Sequence, residues 1–204
     1  MEQPILDMCC GSKMFWLDKN DSRAVFADIR KESHVLCDNR ALHINPDIIA
    51  DFRSLPFPDN SFAQVVFDPP HLDRAGENGW MRKKYGALDK QTWREDIRAG
   101  FSEAFRVLRP HGTLIFKWNE TQIPVSQVIV LTDQKPTIWQ RTGKGDKTHW
   151  ILFLKASSGN TALKEAIGLL VLKAEEKRQR GLISEANAIG YTIAVLKMEA
   201  NHDN

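Results

Sequence analysis

The chain has 204 residues, of which 42% are hydrophobic and 26% charged, and its formal net charge is +2. These values fit one domain with a sizeable core plus a modest appendage, and they exclude a largely disordered chain. They also exclude partner binding driven by overall charge, so contact with an anionic partner has to come from a local patch. Cys9, Cys10 and Cys37 make neither an even disulfide framework nor a zinc-type pair, and are expected to be small buried hydrophobes in a reducing compartment. His34, His43, His111 and His149 have no metal-ligand spacing, so no metal is expected. The opening Met1-Glu2-Gln3-Pro4 lacks signal-peptide character and no apolar run is long enough for a bilayer, which leads to the expectation of a soluble, cytoplasmic protein without a membrane segment.

Ile5 to Met8 is a short apolar run ending in Cys9-Cys10-Gly11-Ser12, the pattern of a buried strand opening into a tight turn, with Ser12 placed to cap a short helix. Ala24 to Ala27 ends at Asp28, and Ile48 to Ala50 ends at Asp51. Between them, Val35-Leu36-Cys37 leads to Asp38, another candidate strand end. Pro56, Pro58 and Asp59-Asn60 mark a turn. Phe62 to Phe67 is then apolar except for Gln64 and stops at Asp68-Pro69-Pro70, where neither proline can donate to a ladder. Continuous runs of this kind suit a parallel sheet covered on both faces.

Leu72 to Lys90 is polar and without a period, which marks a lid or binding loop. Thr92 to Leu108 carries Ile97, Phe101, Ala104, Phe105 and Leu108 at helical spacing, and Pro110-His111-Gly112 ends that helix. Thr113 to Trp118, Pro124 to Thr132 and Trp150 to Leu154 read as three more strands, with a polar turn at Gly143 to Lys147 before the last. The expected fold is α/β, a mostly parallel sheet with a terminal antiparallel strand. Ser157-Ser158-Gly159-Asn160 divides a domain at 1–156 from a helical hairpin at 157–204. The helices, Ala162 to Gln179 and Ser184 to Met198, carry stripes at Leu163, Ile167, Leu170 and Ala174, and at Ala188, Tyr191, Val195 and Met198. Such a hairpin is not stable alone, and is expected to pack on the domain or on a partner, a second copy included.

Acids therefore stand at the ends of the first four candidate strands: Asp7, Asp28, Asp51 and Asp68. Ligands of an open parallel sheet bind at its carboxyl edge. An acid after the second strand suits ribose hydroxyls, and the next suits the exocyclic amine of adenine. Residues 5–154 resemble a class I S-adenosylmethionine-dependent methyltransferase, and within that group the amino-group methyltransferases of DNA and RNA. Ile5-Leu6-Asp7-Met8-Cys9-Cys10-Gly11-Ser12 is similar to the family's cofactor motif. Phe67-Asp68-Pro69-Pro70-His71 is similar to its catalytic motif of Asp, Asn or Ser, then Pro-Pro, then an aromatic residue. Leu108-Arg109-Pro110-His111-Gly112-Thr113-Leu114 resembles the segment leading into the fifth strand. His71 departs from the Tyr, Phe or Trp usual at its position.

The resemblance implies a Rossmann-like class I methyltransferase sheet and S-adenosylmethionine as cofactor. Asp7, Cys9 and Gly11 would lie against its methionine and ribose portion, Asp28 or Asp38 at the ribose hydroxyls, and Asp51 with Phe52 at adenine. Asp68, Pro69, Pro70 and His71 would form the catalytic centre, where the Asp68 carboxylate and a carbonyl such as that of Pro69 accept both N–H groups of the acceptor amine. Trp80 and Tyr85, as stacking surface or as anchors of a lid, join Lys83, Lys84, Lys117 and Asn119 on the substrate side. Arg74, Arg82 and Arg94 with Trp93 extend this basic, aromatic surface, and Lys135, Arg141, Lys144 and Lys147 with Trp139 form a second candidate patch. The expected acceptor is adenine N6 before cytosine N4, in DNA before RNA. A protein or small-molecule acceptor and a noncatalytic nucleic-acid-binding subunit are the alternatives. A first strand at Ile5 leaves no preceding helix to cover the cofactor pocket, so the hairpin or a partner is expected to cover it.

Overall fold

The structure, a computed structural model, describes residues 3–76, 79–156 and 158–202. The chain divides into two compact units, Met1–Lys155 and Ala156–Asn204. The strands of the first unit are β1 (Ile5–Asp7), β2 (Ala24–Asp28), β3 (Glu32–Val35), β4 (Ala41–Ile44), β5 (Ile48–Ile49), β6 (Phe62–Phe67), β7 (Leu108–Asn119), β8 (Ile138–Thr142) and β9 (Thr148–Leu154). Seven of them form one sheet in the order β5-β2-β1-β6-β7-β9-β8, and β3 and β4 form a separate hairpin. β1 pairs in parallel with β2 and β6, as do β2 with β5 and β6 with β7. β9 runs antiparallel to both its neighbours, β7 and β8.

The central strands are apolar because both faces of the sheet are covered. All five residues of β2 are buried, and Leu6, Val65, Phe67, Leu114 and Phe116 are almost inaccessible. The unit also holds helices α1 (Trp80–Tyr85), α2 (Trp93–Val107) and α3 (Val125–Ile129). α2 packs Ile97, Phe101, Ala104 and Val107 onto β6 and β7, on the spacing expected of it. Gly100 lets that helix approach closely, since a Cβ there would collide with the rings of Phe67 and Phe52.

Four local expectations are corrected. Residues 11–23 form turns and no helix, so β1 reaches β2 through an irregular crossover. Pro124 to Thr132 is not a strand: Pro124 adopts φ −57 at the start of α3, and Val125 and Val128 point inward at helical spacing. The strand of that region is β8, hidden from a hydrophobicity reading because it is an edge strand with four exposed residues of five. The 72–90 segment is not wholly irregular, since it contains α1. Of the cysteines, Cys10 is buried, Cys9 is half-buried and Cys37 is exposed, against the expectation that all three are buried; all are free.

In the second unit, α4 (Ser158–Gln179) and α5 (Ile183–His202) are joined by a turn in which Gly181 has φ +72. Ile167, Leu170 and Ala174 lie inward on α4 as expected. On α5 the inward apolar residues are Ala186, Ile189, Ile193 and Leu196, whereas Ala188, Tyr191 and Val195 are exposed. The expected stripe is therefore rotated, because one seam against a single partner helix needs only a narrow apolar strip. Leu163 and Met198 fall outside the described side chains. No helix among the described residues is long and apolar enough to cross a membrane.

Candidate active site

The register of the parallel strands brings the strand-end acids to one edge. Asp7 pairs with Val66 and Phe26, so β1, β2 and β6 end together, and β1 is where the strand order reverses. Asp28 at the end of β2 is 5% exposed, and its Oδ2 accepts the Gly11 N–H at 2.8 Å. Gly11 has φ +49, a conformation glycine adopts readily, and the bond ties the loop after β1 to the end of β2. Asp28 Oδ1 accepts the Arg30 N–H at 2.9 Å and its Nε at 3.3 Å. Asp38 lies elsewhere, exposed at the β3–β4 turn and paired with Arg40. Of the two candidates for a ribose ligand, Asp28 is the one at the sheet edge.

Asp7 is fully buried and accepts bonds from the Trp16 indole at 2.7 Å and the Cys9 N–H at 3.3 Å. Burial pushes its carboxyl up to about 7, against the opposing pull of those two donors. Burial likewise pushes the Cys9 thiol well above its ordinary value, with the nearby carboxylates of Asp28, Asp7 and Asp68 adding to the effect. Cys9 is therefore a neutral wall residue. Asp51 turns its carboxylate to Arg53, 2.6 Å from Nη2, and Arg53 holds its pKa down. Phe52 lies beside Met8, Cys9, Asp28, Ile29, Arg30, Asp68, Pro70 and Tyr85 around one hollow. A second hollow continues from Cys9 past Gly11 and Ser12 to Asp68, Pro69 and His71.

Asp68, the first residue after β6, borders both hollows and a third cleft of about 390 Å³. That cleft is lined on its apolar side by Met14, Leu72, Met81 and Tyr85, with His71 among them. Lys117, Asn119, Gln122 and Thr148 supply its polar side. Asp68 Oδ2 accepts a bond from Lys117 Nζ at 2.6 Å. Burial raises the Asp68 pKa and Lys117 opposes that rise. His71 is pushed down to about 4 by burial and by the Lys117 charge. Asn119 Nδ2 donates to Thr148 Oγ1 at 3.2 Å, which fixes its side chain at the rim.

The residues expected on the substrate side divide. Tyr85, Lys117 and Asn119 line the cleft, and Lys84 lines the hollow beside Gly11 and places its Nζ 4.9 Å from the Tyr85 ring centroid. Trp80 is 48% exposed on α1, and Lys83 contributes its carbonyl, which accepts a bond from Arg30 Nη1 at 3.2 Å. Ile29, Arg30, Met14 and Phe15 were not anticipated. Ile29 carries a signal in retrospect: a large apolar residue, 56% exposed, directly after a strand-end acid.

The donor set fits S-adenosylmethionine. A carboxylate has about four lone-pair positions, so Asp28 retains acceptor capacity for ribose hydroxyls beyond its bonds to Gly11 and Arg30. Ile29 and Phe52 offer apolar faces for a purine beside it.

No protein-family model matches the sequence, and no curated protein matches it. Among solved structures, the chain is similar to a Pyrococcus horikoshii protein at 15% identity, with a TM-score of 0.51 over 74% of this chain and 81% of that one. It is also similar, at 12% identity and a TM-score of 0.45, to an S-adenosylmethionine-dependent methyltransferase of Methanosarcina mazei, over 76% and 92% of the two chains. A third likeness, at 10% identity and a TM-score of 0.44, covers 75% of this chain and 71% of a Burkholderia thailandensis 1,6-didemethyltoxoflavin-N1-methyltransferase. The likeness is one of fold. The chain has the mostly parallel, Rossmann-like sheet expected from the class I resemblance, with β9 as its antiparallel strand.

Proposed function

We propose that this chain is an S-adenosylmethionine-dependent methyltransferase that modifies an exocyclic amino group in nucleic acid, adenine N6 in DNA being the leading acceptor. The observation that carries the reading is the position of Asp68-Pro69-Pro70, at the junction of the two hollows around Gly11 and Phe52 with the 390 Å³ cleft. Gly11, Asp28, Ile29 and Phe52 would hold the cofactor, which when bound supplies an electrophilic methyl group, while Asp7 lies buried beneath them and braces the Cys9 turn. The acceptor amine is a poor nucleophile because its lone pair is delocalised into the ring. The Asp68 carboxylate and the Pro69 carbonyl accept its two N–H groups and so favour a pyramidal nitrogen whose lone pair can attack. Consecutive prolines restrict φ and hold those acceptors in place. Once the amine has been alkylated, Asp68 is the base nearest the proton it must lose.

Support for a polymeric acceptor comes from the rim. Arg82 and Lys84 are carried by α1, whose Met81 and Tyr85 line the cleft, and Lys144 and Lys147 precede Thr148, which lines it from another element. Both suit a phosphate backbone crossing the cleft. A small heteroaromatic amine is the second reading, favoured by the size of the cleft. For the hairpin we propose a partner-binding role, supported by Leu169, Leu172 and Tyr191 turned away from its seam and tested by the solution mass of the full chain. Labelled-methyl transfer to DNA, RNA, nucleosides and a small-molecule extract, followed by identification of the product, tests the function. Labelled N6-methyladenine formed by wild type and not by Asp68→Ala, with cofactor affinity retained, is the expected result. Label only in a small molecule replaces the nucleic-acid reading, and no label in any fraction removes the enzyme reading.

A further inference from the structure

β6 and β7 pair Phe67 with Phe116, so the next residue of each strand, Asp68 and Lys117, emerges beside the other at the carboxyl edge. Their side chains are 20% and 22% exposed, and Lys117 Nζ lies 2.6 Å from Asp68 Oδ2. The same ammonium stands 5.4 Å from the Phe15 ring centroid and 5.6 Å from that of Trp150. Phe15 and Trp150 meet edge to face at 5.6 Å, so the two rings brace each other around the lysine. Aromatic faces attract a cation without offering it a carboxylate, which leaves Asp68 as the anion that fixes its direction. A lysine confined in this way is a built feature of the edge.

We propose that Lys117 is a positioning residue for Asp68: it occupies Oδ2 and so leaves Oδ1 as the oxygen that accepts the N–H of the acceptor amine. The proposal rests on the methyltransferase reading above and explains how a carboxylate at a covered strand end keeps an accepting form. Without a cation, burial favours the protonated acid, whose one remaining carbonyl oxygen is a weaker acceptor than a carboxylate and no longer a base for the proton the amine must lose. The ion pair also removes rotational freedom from the carboxylate, so the accepting oxygen is in place before the acceptor arrives. The other titratable or charged groups around Asp68 are Asp7, Cys9 and Cys10 from β1 and its loop, Asp28 and Arg30 from the end of β2, His71 beside the prolines, and Lys84 and Tyr85 from α1. Arg30 is already bonded to Asp28 and to the Lys83 carbonyl, and Lys84 approaches the Tyr85 ring. Lys117 is the cation seen bonded to Asp68.

The test uses the full chain as wild type, Lys117→Met and Lys117→Arg, with Lys117→Gln in reserve should the methionine variant fail to fold. Carbon-13 NMR of labelled aspartate follows Asp68, assigned by its loss in Asp68→Asn. Asp68 is expected to titrate at higher pH in Lys117→Met than in wild type. The acid limb of the transfer rate is expected to move the same way, with kcat lowered roughly tenfold or more and KM for the cofactor little changed. Lys117→Arg should restore most of both. An Asp68 titration and an acid limb unchanged in folded Lys117→Met or Lys117→Gln overturn the proposal. If wild type transfers no methyl group to any acceptor while Asp68 still shifts on loss of Lys117, the methyltransferase reading falls and the hold of Lys117 on Asp68 stands.

Discussion

The rings of His71 and Tyr85 stand 5.3 Å apart between centroids and are tilted by 54°. Trp118 backs His71 edge-on at 6.4 Å, so the imidazole is held within an aromatic wall. With its pKa pushed down to about 4, that imidazole is neutral near pH 7 and serves as ring surface. His71→Phe is expected to keep most transfer activity and to leave the pH–rate profile flat around neutrality. Tyr85→Ala is expected to lower kcat/KM for the acceptor by roughly tenfold to a hundredfold, the range of a lost base-stacking contact, with cofactor affinity unchanged. A large loss in His71→Phe confined to pH above its titration would mark the imidazole as a base instead.

Asp28 and Asp38 are separated by experiment as they are by position. Removing the carboxylate at the end of β2 is expected to weaken cofactor binding by roughly tenfold or more, the value of one or two charged hydrogen bonds. Calorimetric titration of Asp28→Asn and Asp38→Ala with S-adenosylmethionine reads this directly. Equal affinity in the two variants would remove Asp28 from the cofactor site.

Asp7 makes stability depend on pH. Its carboxyl titrates at about 7 in the fold and at about 4 in the unfolded chain, so between those values the native state binds the extra proton. Stability is then highest below the unfolded value and falls as pH rises towards 7. Relative to Asp7→Asn, wild type is expected to lose about 2–3 kcal/mol between about pH 5 and pH 8, read from urea unfolding. A constant difference between the two proteins would show that Asp7 is ionised in the fold throughout.

Gly100 sets the distance between α2 and the sheet. Gly100→Ala adds one methyl group where the Phe67 and Phe52 rings already lie, and is expected to cost about 1–3 kcal/mol of stability despite the better helix propensity of alanine. A thermal midpoint equal to or above that of wild type would show that the helix moves outward freely.

Strands β1, β2 and β6 were legible in the sequence because a strand covered on both faces must be apolar throughout, and the change to Asp at its end is abrupt. The expected helix over 92–108 was legible for the same kind of reason, since one buried stripe imposes its period. β8 was not, because an edge strand has few contacts that constrain its residues, and Gln140 and Arg141 carry no strand signal. The order along the chain singled out Gly11, Asp28, Phe52 and the Asp68-Pro69-Pro70 segment, and the structure brings them to neighbouring hollows at one sheet edge. The pairing of Lys117 with Asp68 was not legible in that order, although Lys117 had been placed near the substrate, because the two residues are 49 positions apart and meet only through the β6–β7 register. Arg30 escaped for a similar reason: its second partner is a main-chain carbonyl, which has no signature in a sequence.

That arginine has an equilibrium consequence. Arg30 bonds Asp28 on one side and the Lys83 carbonyl on the other, while Gly86, at φ +75, closes α1 against Pro70. One guanidinium thus spans the edge where a donor would sit and the helix that walls the acceptor cleft. Any ligand that alters the hold of Arg30 on Asp28 changes the energy of placing α1, and equilibrium linkage makes the effect equal in the reverse direction. A ligand at the Asp28 edge and one in the cleft are therefore expected to bind with a coupling free energy that Arg30→Ala reduces, read by titrating each in the presence of the other.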